Sequence, residues 1–192
     1  MEILLNDNLI LGENQRLETS RLLLRPITLA DAEDMFEYAS DEEMATYVFP
    51  VHHNLEETRI SIANYFLYEP LGKYGIELKE NGKLIGAIDL RVDSKNKNAE
   101  LGYSLSRKYW GQGIVPEACE KLLELGFEKL ELLHIFAKYD EDNPKSGRVM
   151  DKIGLKDEGR VPNARIAKGK VVTDIIKGMT MEDWKVHHKK SR

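Results

Sequence analysis

The chain has 192 residues, of which 42% are hydrophobic and 32% charged, and its formal net charge is −5. This size and composition are ordinary for a globular domain with one core, and the negative balance excludes a broad basic surface for nucleic acid. The single cysteine, Cys119, excludes an intrachain disulfide and a cysteine-rich metal site. No apolar run is long enough to cross a membrane. We therefore predict one domain over residues 1–192, without metal and without direct contact to nucleic acid or membrane.

The first segment, residues 1–16, is a weakly patterned arm. It lacks the basic start and the long apolar stretch of a secretory signal, so a cytoplasmic location is expected. The apolar run 22–27 follows it and predicts a short strand that stops near Pro26.

Two capping pairs predict helices after this strand. Thr28 with Asp31, and Asn54 with Glu57, have the spacing at which side chains satisfy the free N–H groups of a helix start. The second of these helices is expected to carry the apolar residues Ile60, Ala63, Tyr65 and Leu67.

The period then changes to that of strands, at 74–78, 84–92 and 99–106. The Asn-Gly pair at 81–82 is a strong hairpin signal between the first two runs. Gly102 inside the third run indicates a bulge or the close approach of another backbone. These runs predict an antiparallel meander.

The last third of the chain alternates helices and strands and ends in a basic tail at 185–192. Its patterns predict elements at 114–129, 133–139, 145–153, 155–158 and 171–181, with a loop containing Gly, Asn and Pro before the last. The fold class is therefore α/β (α+β), with one mixed, mostly antiparallel central sheet flanked by helices. The final strand could pair across a dimer, so the chain is expected to be a monomer or a homodimer.

Two helix starts indicate a chemical role. Gly111 and Gly113 directly precede the helix at 114–129, where free N–H groups and the helix dipole attract an anion. Glycine permits the sharp turn and the close backbone approach that a phosphate needs. A second predicted helix start, within 142–150, offers free N–H groups in the same way. We interpret the first start as an anion cradle, most simply for a pyrophosphate.

Five motifs, spread over residues 17–184, have the composition of one family. They are 19–25 with 31–32, Glu-Leu-Gly-Tyr at 100–103, Tyr-Trp-Gly-Gln-Gly at 109–113, Glu-Ala at 117–118, and Asn-x-x-Ser-x-Arg-Val at 143–149 with Lys152 and Gly154. In these motifs the chain resembles the GNAT superfamily of N-acetyltransferases, and within it the ribosomal-protein N-terminal (Rim-type) branch. Trp110 and Val115 depart from the general superfamily loop, which has Arg or Gln and Gly or Ala at those positions.

The resemblance implies an acetyl-CoA-dependent acyltransferase with a splayed cofactor gap between the strands 100–105 and 133–139. The pantetheine arm would lie in this gap like an extra strand, bound by backbone groups of Tyr103, Ser104 and Leu105. The two helix starts would supply the remaining cofactor contacts: Gly111, Gln112, Gly113, Ile114 and Val115 for the pyrophosphate, with Asn143 and Ser146 from the second start.

The resemblance also implies catalytic roles. Ser146 would protonate the departing thiolate, although a hydroxyl in the first turn of a helix can instead satisfy a backbone N–H. Glu100, a strand carboxylate facing the gap, is the candidate general base, directly or through a water. Its alternative role is a structural hydrogen bond to the backbone or to an arginine, and Asp89 on the adjacent strand is the reserve.

The acceptor is expected to be a primary amine, with the N-terminal α-amine of a protein such as a ribosomal protein as the leading hypothesis. A small-molecule amine, and a non-catalytic acyl-CoA-binding module, are the alternatives. The family builds part of its acceptor pocket near residues 47–53, where His52 and His53 are expected to be exposed rather than to form a metal pair. Cys119 is expected to be a small core residue.

Overall fold

The computed structural model describes residues 6–189, with side chains through residue 186. In this part of the chain, eight strands form one sheet: β1 (Leu17–Glu18), β2 (Leu22–Arg25), β3 (Lys73–Leu78), β4 (Leu84–Asp93), β5 (Asn98–Leu105), β6 (His134–Asp140), β7 (Lys156–Ala167) and β8 (Lys170–Thr180). The α-helices are α1 (Asp7–Glu13), α2 (Ala32–Ala39), α3 (Glu42–Ala45), α4 (Leu55–Ser61), α5 (Ile114–Glu124), α6 (Pro144–Lys152) and α7 (Met181–Lys189). Helices α4 and α5 continue as π-helical turns at Ile62–Leu67 and Leu125–Lys129. None of the helices described is long and apolar enough to span a membrane.

The strand order is β1-β2-β3-β4-β5-β6-β8-β7, and within the described residues only β5 and β6 pair in parallel. This mixed, mostly antiparallel sheet flanked by helices confirms the predicted fold class. Strands β5 and β6 pair only over 98–100 and 134–136, although they run on to Leu105 and Asp140. The two strands therefore separate and open a wedge in the middle of the sheet.

Strand β4 is buried over residues 84–90, because helices cover both faces of the sheet. Its Ile85 and Ile88 join the core beneath α5, whereas Leu84 and Ala87 join a second core beneath α2. Burial on both faces explains the nearly continuous apolar run in the sequence. Cys119 of α5 is fully buried in the first core, as predicted, and burial raises the pKa of its thiol.

The predicted local signals at the turns and helix starts are confirmed. The backbone N–H of Thr28 donates to Asp31 Oδ2 at 2.7 Å, and the N–H of Glu57 donates to Asn54 Oδ1 at 2.9 Å. Gly82 in the β3–β4 hairpin has a φ of 71°, which side chains other than glycine rarely adopt.

Most of the apolar residues of the second predicted helix do not face the core. Ile62 and Thr58 are fully buried, whereas Ile60, Tyr65 and Leu67 are exposed. The chain changes to π-helical winding at Ile62, where each turn holds more residues. The apolar stripe that a 3.6-residue period predicts therefore rotates away from the core.

The C-terminal hairpin is longer than predicted. Strand β7 continues through the expected loop to Ala167 and pairs with β8, with register shifts between Asp157 and Gly159 and between Val161 and Arg165. The second shift is a bulge that accommodates Pro162, which cannot donate to a strand ladder. The resulting hairpin forms the edge of the sheet, and β7 is solvent-exposed along almost its whole length.

Both chain ends contain helices where the sequence predicted an arm and a tail. Helix α1 lies within the predicted arm and buries Leu11. Helix α7 includes the first part of the predicted basic tail, and its Trp184 stacks on Phe127 with ring centroids 5.4 Å apart. Residues 1–5 and 190–192 of these two segments lie outside the described residues.

Candidate functional site

The wedge between β5 and β6 leaves two strand edges facing each other. Strand β5 is paired with β4 along its far side, and β6 with β8, so each presents its other edge to the wedge. No further strand of residues 6–189 pairs across the open part. Backbone N–H and C=O groups at Tyr103–Leu105 can therefore bind an extended molecule that carries amides, as an added strand would. The pantetheine arm of coenzyme A has this chemistry.

The loop before α5 has the left-handed glycine turns and the open helix start that an anion cradle requires. Gly111 has a φ of 77° and Gly113 a φ of 75°, and Gly113 is the residue that caps α5. No side chain of the described residues caps this helix start, so the N–H groups of Ile114 and Val115 remain available to a ligand. These features fit the pyrophosphate of coenzyme A, since helix N-termini bind phosphate groups.

Ser146 lies in the first turn of α6, beside the wedge. Its hydroxyl oxygen is 3.0 Å from the hydroxyl of Tyr103, which also donates to the carbonyl of Ser146 at 3.0 Å. Burial raises the pKa of Tyr103, so this hydroxyl stays protonated at neutral pH. Because Tyr103 donates its only proton to the carbonyl, the Ser146 hydroxyl is the donor in the contact between the two hydroxyls. The pair forms a short chain of proton donors at the edge of the wedge.

Two carboxylates and an arginine lie on β4 and β5, near the point where β5 parts from β6. Arg91 pairs with Asp89 and, at 3.2 Å, with Glu100, which Lys138 also contacts at 3.3 Å. Tyr65 donates a hydrogen bond of 2.8 Å to Asp89. Burial raises the pKa of Asp89 above its usual range, against the opposing effect of Arg91.

Gly102 makes room for this cluster. A Cβ at position 102 would lie 2.7 Å from a guanidinium nitrogen of Arg91 and 2.8 Å from Asp89 Oδ1. The predicted bulge or close backbone approach at this glycine is therefore wrong, because the groups that approach it are the side chains of an ion pair and the β4–β5 register has no shift there.

A cavity of about 490 Å³ joins these groups to the protein surface. Tyr47, Phe49 and Tyr65 line it together with Asp89, Glu100, Tyr103 and Ser146. Among the side chains described, no group of three or more His, Cys, Asp or Glu is arranged to hold a metal ion.

The expected exposure of the two histidines is confirmed for His53 and wrong for His52. His52 is buried in the cavity wall, where its Nδ1 lies 2.9 Å from the hydroxyl of Thr58. Burial lowers its pKa, which favours the neutral ring. The sequence did not show that α4 folds back over this segment.

The β7–β8 hairpin forms another wall of the cavity. Arg165 lines the cavity and its Nε donates to Asp174 at 3.1 Å. Near the hairpin tip, Lys168 donates to the carbonyl of Ala45 at 2.8 Å, so the hairpin is attached to α3. The sequence predicted a loop at Arg165 and Lys168 and assigned neither residue a role in the site.

Comparison with known proteins identifies the family. The family model described as "Acetyltransferase (GNAT) domain" matches residues 21–156. This chain belongs to the GNAT acetyltransferase family. It is 31% identical over 163 residues to an uncharacterized N-acetyltransferase, p20, of Bacillus licheniformis, covering 82% of this chain and 92% of that protein.

Two further relatives of this GNAT protein extend the comparison. The ribosomal protein uS5-alanine N-acetyltransferase of Escherichia coli is 24% identical over 179 residues, covering 88% of this chain and 92% of that protein. A crystal structure of a GNAT-family acetyltransferase from Bacillus anthracis superimposes with a TM-score of 0.79 at 25% identity, covering 87% of this chain and 99% of that one. The protein is an acetyl-CoA-dependent N-acetyltransferase.

The structure of this acetyltransferase brings most of the sequence-predicted residues to one wedge. Tyr103–Leu105 and Ser146 lie at its edges, Asn143 lines the adjoining cavity, and Glu100 lies where the strands part. Sequence reasoning missed the Tyr103 hydroxyl, because the motif predicted only a backbone role. It also missed Tyr65 and Arg165, whose separation along the chain from the motifs leaves no local signal.

Proposed function

We propose that this acetyltransferase transfers the acetyl group to the α-amine at the N-terminus of a protein, such as a ribosomal protein. The observation that carries the proposal is an exposed apolar rim around the mouth of the cavity. Tyr47 is 40% exposed, Val48 50% and Tyr65 39%. Such a rim suits the first side chains of an extended peptide, whereas a small amine would leave it uncovered. The name of the uS5-alanine relative supports the same class of acceptor.

The polar end of the cavity suits an amine. An entering ammonium group meets Asp89 and Glu100, and deprotonation then produces the nucleophile. Glu100 remains a proposed base, but it is held between Arg91 and Lys138. Asp89 also pairs with Arg91, but burial nevertheless raises its pKa, as a proton acceptor requires, so we place the base role first on Asp89.

Ser146 is the proposed proton donor to the leaving sulfur. Its hydroxyl lies 3.0 Å from the Tyr103 hydroxyl, which can return a proton to it once the tyrosine proton turns from the Ser146 carbonyl to the Ser146 hydroxyl oxygen. Backbone groups of Tyr103, Ser104 and Leu105 hold the pantetheine arm. The pyrophosphate contacts are those predicted: Gly111, Gln112, Gly113, Ile114 and Val115, with Asn143 beside the pantetheine.

A matched acceptor panel tests the proposed acceptor. Release of free thiol from acetyl-CoA is measured with peptides that begin with alanine, with the same peptides already acetylated at the N-terminus, and with a polyamine and an aminoglycoside. We expect turnover with the free peptides and none with the blocked ones. Faster turnover with a small amine than with any peptide would overturn the peptide proposal and identify a small-molecule enzyme.

A variant of the rim sharpens this test. Tyr47→Ala is expected to raise the KM for the peptide about fivefold, since an aromatic contact of this kind contributes about 1 kcal/mol, with the KM for acetyl-CoA unchanged. Tyr68→Ala is the control, because Tyr68 is 80% exposed and is absent from the lining of the cavity. If the two substitutions change the KM for the peptide equally, the rim does not bind the peptide.

A further inference from the structure

Several hydrogen bonds converge on Glu117, in the first turn of α5. Its Oε1 accepts from the Thr19 hydroxyl at 2.5 Å, the Ser20 hydroxyl at 3.1 Å and the Arg21 N–H at 3.1 Å. Its Oε2 accepts from Arg21 Nε and Nη2, both at 2.7 Å. The helix that carries the anion cradle is thereby attached to the turn between β1 and β2. The carboxylate also lies close to the N-terminus of α5, where the helix dipole stabilises negative charge.

Arg21 connects the same carboxylate to the cradle. Its third nitrogen, Nη1, donates to the carbonyl of Gln112 at 3.0 Å. A Cβ at Gly113 would lie 3.6 Å from Nη2, so the guanidinium lies against the loop. The planar fork of arginine makes these contacts together, which the single ammonium of a lysine cannot reproduce.

The hydrogen bond to Gln112 fixes the direction of a peptide group. In a trans peptide, the carbonyl of one residue and the N–H of the next point in opposite directions. With the Gln112 carbonyl turned toward Arg21, the N–H of Gly113 points away from the guanidinium. Glycine at 113 then allows the left-handed turn into α5, after which the N–H groups of Ile114 and Val115 follow.

We infer that Arg21 and Glu117 are positioning residues that hold the phosphate loop in the orientation that binds the pyrophosphate of acetyl-CoA. This inference rests on the proposed role of the loop. It assigns the Glu-Ala motif at 117–118 a task beyond helix formation, because Glu117 orients the arginine and the arginine orients the loop. Neither side chain needs to touch the substrate.

A comparison of two acyl donors tests the assignment. S-Acetylpantetheine carries the thioester and the amides but lacks the pyrophosphate, so it does not use the loop. For Glu117→Gln and Arg21→Lys we expect the KM for acetyl-CoA to rise about tenfold, which corresponds to one charge-assisted hydrogen bond, with kcat unchanged. The KM for S-acetylpantetheine is expected to stay at the wild-type value. Glu124→Gln is the matched control, because it removes the 2.7 Å ion pair with Lys121 from the same helix, away from the loop.

The possible results separate the two proposals. If the wild-type protein does not prefer acetyl-CoA over S-acetylpantetheine, the proposed role of the loop is wrong. If the wild type has this preference and both variants keep it in full, or if a variant loses activity equally with the two donors, the positioning role is wrong. Should Glu117→Gln fail to fold, Arg21→Lys decides by itself, because it keeps the positive charge beside Glu117 and removes only the fork.

Discussion

The cofactor side and the acceptor side of this acetyltransferase are built in different ways. On the cofactor side, the groups proposed to bind acetyl-CoA are mostly backbone atoms of two short continuous segments, Tyr103–Leu105 and Gly111–Val115. On the acceptor side, side chains from distant parts of the chain meet in one cavity, as Tyr47, Asp89 and Arg165 do. A binding site made of backbone atoms can therefore be predicted from local sequence, through its glycines and helix starts. A site made of side chains depends instead on which elements become neighbours in the fold.

This difference has a functional consequence. In the proposed site, the donor is bound by backbone atoms, which every residue type possesses. This proposal accounts for Trp110 and Val115 at loop positions where other members of the superfamily differ. The acceptor is met by the side chains of the rim and the hairpin, which can change without disturbing the sheet. We therefore expect substitutions on the two sides to separate cleanly into effects on the donor and effects on the acceptor.

The largest effect is expected at Asp89. Asp89→Asn removes the proposed base and is expected to lower kcat by roughly 10²- to 10⁴-fold, the usual range for general base catalysis, with acetyl-CoA binding unchanged. Titration calorimetry with acetyl-CoA and steady-state kinetics measure the two quantities. Asp93→Asn, at the solvent-exposed end of the same strand, is the control.

The pH profile provides a second readout of the same residue. Burial and, to a smaller extent, Glu100 raise the pKa of Asp89, while Arg91, Tyr65 and Lys73 lower it. Because the ionised carboxylate is the active form, kcat/KM for the acceptor should rise with pH along a limb above the usual aspartate range. That limb should be missing in Asp89→Asn. A larger loss in Glu100→Gln than in Asp89→Asn would assign the base to Glu100 instead.

An intermediate effect is expected in the phosphate loop. Gly113→Ala and Gly82→Ala both place a side chain at a φ above 70°, and each should cost about 1–2 kcal/mol of folding free energy. Only Gly113→Ala should weaken acetyl-CoA binding, by about tenfold, because its loop must shift to relieve the strain. Thermal unfolding and calorimetry separate the two effects. Equal affinities in the two variants would contradict a ligand role for the loop.

The smallest effect is expected at Tyr65. Tyr65→Phe removes the 2.8 Å hydrogen bond to Asp89, which stabilises the ionised carboxylate. The acidic limb of the pH profile should therefore move to higher pH, with only a few-fold change in kcat at its plateau. Tyr68→Phe serves as the control on the same helical segment. A limb that does not move, or moves downward, would show that Tyr65 does not act on Asp89.

The sequence by itself determined the elements with a local physical cause. The Thr28–Asp31 and Asn54–Glu57 caps, the hairpin at Gly82 and the start of α5 after Gly113 depend on atoms a few residues apart, so their patterns predicted them. The mostly antiparallel sheet followed from the order of strands and helices. The motifs then predicted where the phosphate loop and Ser146 lie.

The tertiary structure alone decided what depends on contacts between distant segments. The π-helical turn after Ser61 rotated an apolar stripe to the surface, and the bulged hairpin carried Arg165 to the cavity. The pairing of Arg91 with Glu100 follows from strand register, which a sequence pattern does not specify across a loop. Local hydrogen bonds are encoded by spacing, whereas the environment of a charged side chain is set by every element packed against it.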